Sequence, residues 1–221
     1  MTGRLALETE IEALRAEFVD FDHRSSMLTP EEHARWRAIA ERGHALRNQL
    51  ATREPSGIPR RLREARLYAG DETQAISRAR AYVEAEVEHG ACLVLSGPTG
   101  VGKSWTAAAV LHEVGGAFWF WPSACAGLLR PETRDATLEA LRSERLILLD
   151  DFGMEYAKEG GLLEALTDEI VWYREAEILP TLITTNLAPD AMRSQWSARI
   201  VDRLRGRWAS VFAVTGESLR R

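Results

Sequence analysis

The octet Gly97-Pro98-Thr99-Gly100-Val101-Gly102-Lys103-Ser104 leaves this chain least freedom. A short apolar run, 91–96, precedes it, and residues 104–114 have helical spacing that stops at Gly115-Gly116. The pattern G-x-x-x-x-G-K-[ST] between a strand and a helix makes a loop whose N–H groups turn inward around an anion. Glycine permits those turns, and the helix beginning near Lys103 adds the positive end of its dipole. Lys103 supplies a mobile cation for β and γ phosphates, and the Ser104 hydroxyl is a hard oxygen suited to Mg²⁺. The octet and the next residue, Trp105, are therefore expected to bind ATP. Lysine occurs only at Lys103 and Lys158, so Lys103 is not one of many interchangeable surface cations.

Downstream, strands alternate with helices. Strands are expected at 117–121, 146–150, 182–185 and 211–214, and a helix at 161–175. With the first strand this predicts an α/β fold, a five-stranded parallel sheet covered on both faces. Arg145-Leu146-Ile147-Leu148-Leu149-Asp150-Asp151 reads as a buried strand whose tip faces the ligand crevice. Neighbouring strand residues point to opposite sides, so the two carboxylates can do different jobs. Asp150 is placed to hold Mg²⁺ through water, and Asp151 to orient and polarise the attacking water. Thr181-Leu182-Ile183-Thr184-Thr185-Asn186 also ends in polar groups, and Asn186 is expected to reach the γ-phosphate or the water. Arg199 and Arg203 lie four apart on one helical face, suited to a neighbouring subunit's γ-phosphate; Arg220 is placed to fold back onto its own nucleotide.

Residues 1–52 read as a helical hairpin. Leu7, Ile11, Leu14, Phe18 and Phe21 make one apolar stripe; Trp36, Ile39, Gly43, Leu46 and Leu50 make another. Thr29-Pro30-Glu31-Glu32 is a helix start with a capping box. The hairpin either docks a partner or packs on its own chain. Residues 53–67 read as a link, broken by Pro55, Gly57 and Pro59 and followed by Arg60, Arg61, Arg63 and Arg66; these could bind a phosphate backbone, but a solvated basic turn is the commoner explanation of such a run. Residues 68–221 complete the core.

Cys92 and Cys125 are far apart in apolar surroundings, without a Cys-x-x-Cys pair, which excludes a zinc ribbon and fits reduced core thiols. A net charge of −5 argues against a histone-like coat on nucleic acid. No apolar run approaches the ~20 residues that cross a bilayer, and the N-terminus lacks the shape of a signal peptide, so a cytoplasmic location is expected.

Together the octet, Asp150-Asp151-Phe152-Gly153-Met154-Glu155, the run from Leu179 to Leu187, the segment from Arg199 to Arg205 and Gly216-Glu217-Ser218-Leu219-Arg220 resemble the DnaC/DnaI/IstB group of AAA+ ATPases. Gly57-Ile58-Pro59-Arg60-Arg61-Leu62 is similar to that group too, so the resemblance covers roughly 57–221. It implies an AAA+ core in which the strand ending at Asn186 lies between the phosphate-loop and metal strands. It implies ATP hydrolysis, binding of single-stranded DNA, and a helical or ring homo-oligomer. Arg203 would be the arginine finger, Arg199 a second interface candidate and Arg220 the sensor-2 arginine. The partner would be a replicative helicase, or a transposase as for IstB-type members. The N-terminal 52 residues match no loader domain, and the chain stops at the sensor-2 motif with no C-terminal lid domain. For DNA, Arg130, Arg134 and Arg142 are candidates, with Trp119 or Trp121 as stacking partners unless the tryptophans lie in the core. Rival readings are a P-loop small-molecule kinase and a slow nucleotide-dependent interaction module; Asp150, Asp151 and Asn186 favour water as acceptor over a kinase substrate.

Overall fold

The computed structural model describes residues 55–68, 72–153, 161–188, 190–192 and 196–219, together with Ala13 and part of 29–42. The chain divides into two units, Met1–Arg53 and Glu54–Arg221. In the first, Pro30, Glu31 and Glu32 are helical. The Thr29 N–H donates to Glu32 Oε2 at 2.8 Å and the Glu32 N–H to Thr29 Oγ1 at 3.3 Å, so the capping box closes as expected. The two apolar stripes of the hairpin lie outside the described residues.

The second unit is built on β1 (Cys92–Ser96), β2 (Ala117–Phe120), β3 (Ile147–Asp150), β4 (Thr181–Thr185) and β5 (Ala209–Ala213). All pair in parallel, in the order β2-β3-β4-β1-β5. Side chains alternate across the sheet. On one face Leu93, Leu95, Leu148 and Leu182 meet α1 (Gln74–Ala85) and α2 (Lys103–Val114). On the other, Cys92, Val94, Leu149 and Ile183 meet α3 (Trp121–Leu129), α4 (Pro131–Ser143), α5 (Leu162–Ala176) and α6 (Ala198–Arg203). Both cysteines are buried free thiols, and burial pushes the Cys92 thiol far up.

Several expectations are corrected. The second strand ends at Phe120, because Trp121 and Pro122 open α3; proline in the first turn of a helix gives up an N–H no helix bond needs, whereas a strand would lose a ladder bond. Trp121 is fully buried, its ring 4.8 Å from that of Phe152, so it does not stack on a nucleic acid, and Trp119 is half-buried against the same core. The helix α1 went unread in the sequence, although Thr73 accepts from the Ile76 N–H as its cap and Ala75, Ile76, Ala79, Tyr82 and Val83 bury one face. The stretch read as a link is packed: Leu62, Ala65 and Leu67 are buried, and Ser56 extends the sheet beside β2 by accepting from the Phe118 N–H at 2.9 Å. Among the described residues no helix is long and apolar enough to cross a membrane.

Candidate active site

The tips of β1, β4 and β3 place the expected site residues side by side. After β1 the chain enters the glycine loop, where Gly97, Gly100 and Gly102 have φ of 155°, 93° and 93°, values L side chains rarely adopt. The loop passes into α2, which begins at Lys103. Pro98 and Thr99 are exposed, Val101 anchors the loop in the core, and Ser104 and Trp105 occupy the first turn of α2.

The Lys103 side chain is 5% exposed. Its ammonium donates to the carbonyls of Gly97 and Pro98, each at 2.8 Å, and to Asn186 Oδ1 at 2.9 Å. The strand-end amide expected at the γ-phosphate thus touches the phosphate-loop lysine. The central position of β4, paired to β1 on one side and β3 on the other, makes this contact possible.

Asp150 ends β3 fully buried, and its Oδ1 accepts from the Thr184 hydroxyl at 2.7 Å. The same hydroxyl oxygen accepts from the Asp151 N–H at 3.0 Å. Asp150 Oδ2 is buried with no hydrogen-bond partner. A buried carboxylate oxygen without a partner is costly, and a hard cation satisfies it. The residues therefore fit Mg²⁺, with Asp150 and the Ser104 hydroxyl as the groups to hold it. Asp151 turns the chain sharply at φ 59°, a left-handed conformation that Asp tolerates better than most residues. Behind it Phe152 is buried between Trp121 and Trp196, with centroids 4.8 and 4.9 Å away, and fixes the turn in the core.

The arginines are not gathered with these groups. Arg199 Nη1 lies 3.4 Å from Asp168, and Arg203 Nη1 lies 3.0 Å from Glu175. Both acids belong to α5, so α6 is held along α5 by two ion pairs. Arg220 lies outside the described residues, but the Leu219 N–H donates to the Gly100 carbonyl at 2.9 Å, bringing the chain before Arg220 onto the phosphate loop. Of the DNA candidates, Arg142 pairs with Glu169 and lies over the Tyr173 ring at 4.2 Å, Arg134 donates to the Leu128 carbonyl, and Arg130 is exposed. The sequence reading missed Thr184, Phe152 and the tail contact at Gly100. The strand-end Thr-Thr-Asn carried a signal for the first; the other two depend on distant residues.

No protein-family model matches the chain, and no curated protein matches it. Solved structures do. The crystal structure of DnaI is 26% identical, with a TM-score of 0.63, covering 74% of this chain and 95% of that one. The DnaC helicase loader is 22% identical, with a TM-score of 0.61, covering 71% of this chain and all of the other (100%). The replication initiator DnaA bound to AMPPCP and single-stranded DNA is 16% identical, with a TM-score of 0.57, covering 70% of this chain and 51% of that one. The parallel sheet, its strand order and the loop after β1 therefore identify a DnaC/DnaI-like AAA+ fold.

Proposed function

We propose that this protein binds and hydrolyses ATP and acts as a helicase-loader-like ATPase on a DNA-bound partner, a replicative helicase, assembling with further copies of itself. The observation that carries the ATPase reading is the cluster at the strand tips: the Lys103 ammonium on Asn186, with the orphaned oxygen of Asp150 on the adjacent strand. Loop N–H groups from Gly97 to Ser104, with Lys103, bind the phosphates. ATP binding draws the Lys103 ammonium from loop carbonyls to phosphate oxygens, an exchange of neutral acceptors for charged ones. Ser104 and Asp150 hold Mg²⁺, which when bound neutralises charge on the phosphate oxygens. Asp151 accepts the proton of the attacking water, and Asn186 orients that water or the γ-phosphate. Trp105, 41% exposed in the first turn of α2, is free to contact the bound nucleotide. Arg220 binds the nucleotide of its own subunit, and Arg203 completes the site of a neighbour. The similarity to a helicase loader and to an initiator bound to AMPPCP and single-stranded DNA supports the kind of partner.

The test is ATP binding by calorimetry beside steady-state phosphate release. Lys103→Ala is expected to abolish tight binding. Asp151→Asn is expected to bind Mg·ATP like the parent yet hydrolyse it at least about 100-fold more slowly, the lower range of general-base effects. Unchanged ATP affinity in Lys103→Ala places the nucleotide elsewhere, and parental turnover in Asp151→Asn removes Asp151 from the chemistry.

A further inference from the structure

The segment before α1 carries a feature the nucleotide site does not use. Arg60, Arg61, Arg63 and Arg66 are exposed, while Leu62, Ala65 and Leu67 between them are buried. The backbone beneath these arginines is fixed. Arg60–Leu62 is a turn of 3₁₀ helix, closed by the Leu62 N–H to Pro59 at 2.8 Å and the Arg63 N–H to Arg60 at 3.3 Å. The Leu62 carbonyl accepts from His112 Nε2 at 3.2 Å, tying the turn to α2. Arg66 Nη1 donates to the carbonyls of Arg63 and Ala65, each at 2.8 Å, so Arg66 clamps the turn.

The other three arginines of the turn differ from five arginines elsewhere in the unit that are held by acids. Arg78, Arg80, Arg142, Arg199 and Arg203 each pair with an acid. Among the described residues Arg60, Arg61 and Arg63 make no ion pair, in a chain whose net charge is −5, and residues 60–66 hold a single acid, Glu64. In a 3₁₀ turn residues three apart eclipse, so Arg60 and Arg63 stand on one side with Arg61 about a third of a turn away. Guanidinium groups fanned in this way do not converge on one small anion. They match a succession of phosphates on a flexible chain, each of which an Arg can bind through two parallel N–H bonds.

We propose that residues 60–66 are a docking strip for the phosphate backbone of a nucleic acid strand, engaged by Arg60, Arg61 and Arg63. The strip lies outside the nucleotide site and needs no nucleotide, so its contribution persists in Lys103→Ala. It is separate from Arg130, Arg134 and Arg142 at and along α4.

The experiment is fluorescence anisotropy of a labelled oligothymidylate over a salt series, with and without ATP. The parent is compared with the triple variant Arg60→Gln, Arg61→Gln, Arg63→Gln and the triple variant with Lys at the same positions. These side chains point outward, so equal melting curves are expected and are checked. Three lost phosphate contacts lower the slope of log K against log salt by about 2, from ~0.7 per contact on single strands, and reduce low-salt affinity at least about tenfold. The Lys variant keeps most of the slope, because it keeps the charge. ATP binding stays parental in both, which separates this strip from the ATPase reading. Equal affinity and slope in the parent and the Gln variant overturn the proposal. So does an equal loss in the Lys variant, absence of strand binding by the parent at low salt, or displacement of the strand's role by an acidic peptide that binds more tightly through the same arginines.

Discussion

At the residue scale, Thr184 joins the two carboxylates. One hydroxyl donates to Asp150 and accepts from the Asp151 N–H, so the orientation of the Asp150 carboxylate and the turn at Asp151 share an atom. Thr184→Val keeps the shape and removes both bonds. A buried carboxylate left short of a donor costs about 1–3 kcal/mol, so the urea midpoint should fall by that equivalent with the slope unchanged. Hydrolysis should fall more than ATP affinity does, because the loop and Lys103 are untouched. If stability and turnover both match the parent, the hydroxyl has no organising role. The placement of Asp150, Asp151 and Lys103 at the strand and helix tips was legible from the sequence because each motif is contiguous. Thr184 was not read as a site residue, because its partner lies 34 residues away and only the strand order brings them together.

At the element scale, one buried arginine braces α5 and its surroundings. Arg174, near the end of α5, is 1% exposed and has no acid partner among its hydrogen bonds. Its guanidinium donates to Thr181 Oγ1 at 2.9 Å, to the carbonyls of Leu141 and Glu144 at 3.0 Å, and to that of Pro180 at 2.8 Å. It closes the C-terminal end of α4 and the start of β4 together, and burial lowers its pKa to about 10. Arg174→Met strands several buried carbonyls at ~1–3 kcal/mol each, and Arg174→Lys lacks the fork to reach them all. Denaturant titration should show both destabilised, the Met variant by at least about 3 kcal/mol; a Lys variant as stable as the parent would refute the fork argument. His112 of α2 offers a pH test. Burial foremost lowers its pKa, the Arg66 charge acts the same way, and the bond to Leu62 opposes them. The unfolded chain therefore takes up the proton first, and stability is full above an ordinary imidazole pKa of about 6.5 and declines as pH falls below it. Melting temperatures between pH 7.5 and 5.5 should fall less in His112→Gln than in the parent. Periodicity revealed the helices that carry long apolar faces, whereas the strand at 117–121 was drawn one residue too long because Trp121 suits either element and only Pro122 decides.

At the scale of the whole molecule, the two ion pairs between α5 and α6 bear on assembly. A finger arginine acts on a neighbour, so the proposed role requires Arg203 to leave Glu175, to which it is bonded with only a quarter of its side chain exposed (25%), whereas Arg199 is already 80% exposed. Hydrolysis per subunit should rise with protein concentration. Arg203→Ala and Lys103→Ala should each be nearly inactive, yet a mixture should regain part of the activity, since one supplies an intact loop and the other an intact finger. If co-assembly is seen by light scattering and the mixture stays inactive, the role passes to Arg199. The doubly covered parallel sheet was legible from alternation alone. The packing of residues 55–68 was not, because Pro, Gly and a run of arginines look like a tether whether or not Leu62, Ala65 and Leu67 find a core to enter. That packing makes the segment a clock for trypsin. Every arginine in it is a cleavable bond with its side chain in solvent, but a protease needs an extended stretch of backbone, and this backbone is pinned by buried leucines and by His112. Cutting between Arg60 and Arg66 therefore waits on local detachment, and where reclosing is faster than cleavage its rate measures how often the segment lets go of the sheet.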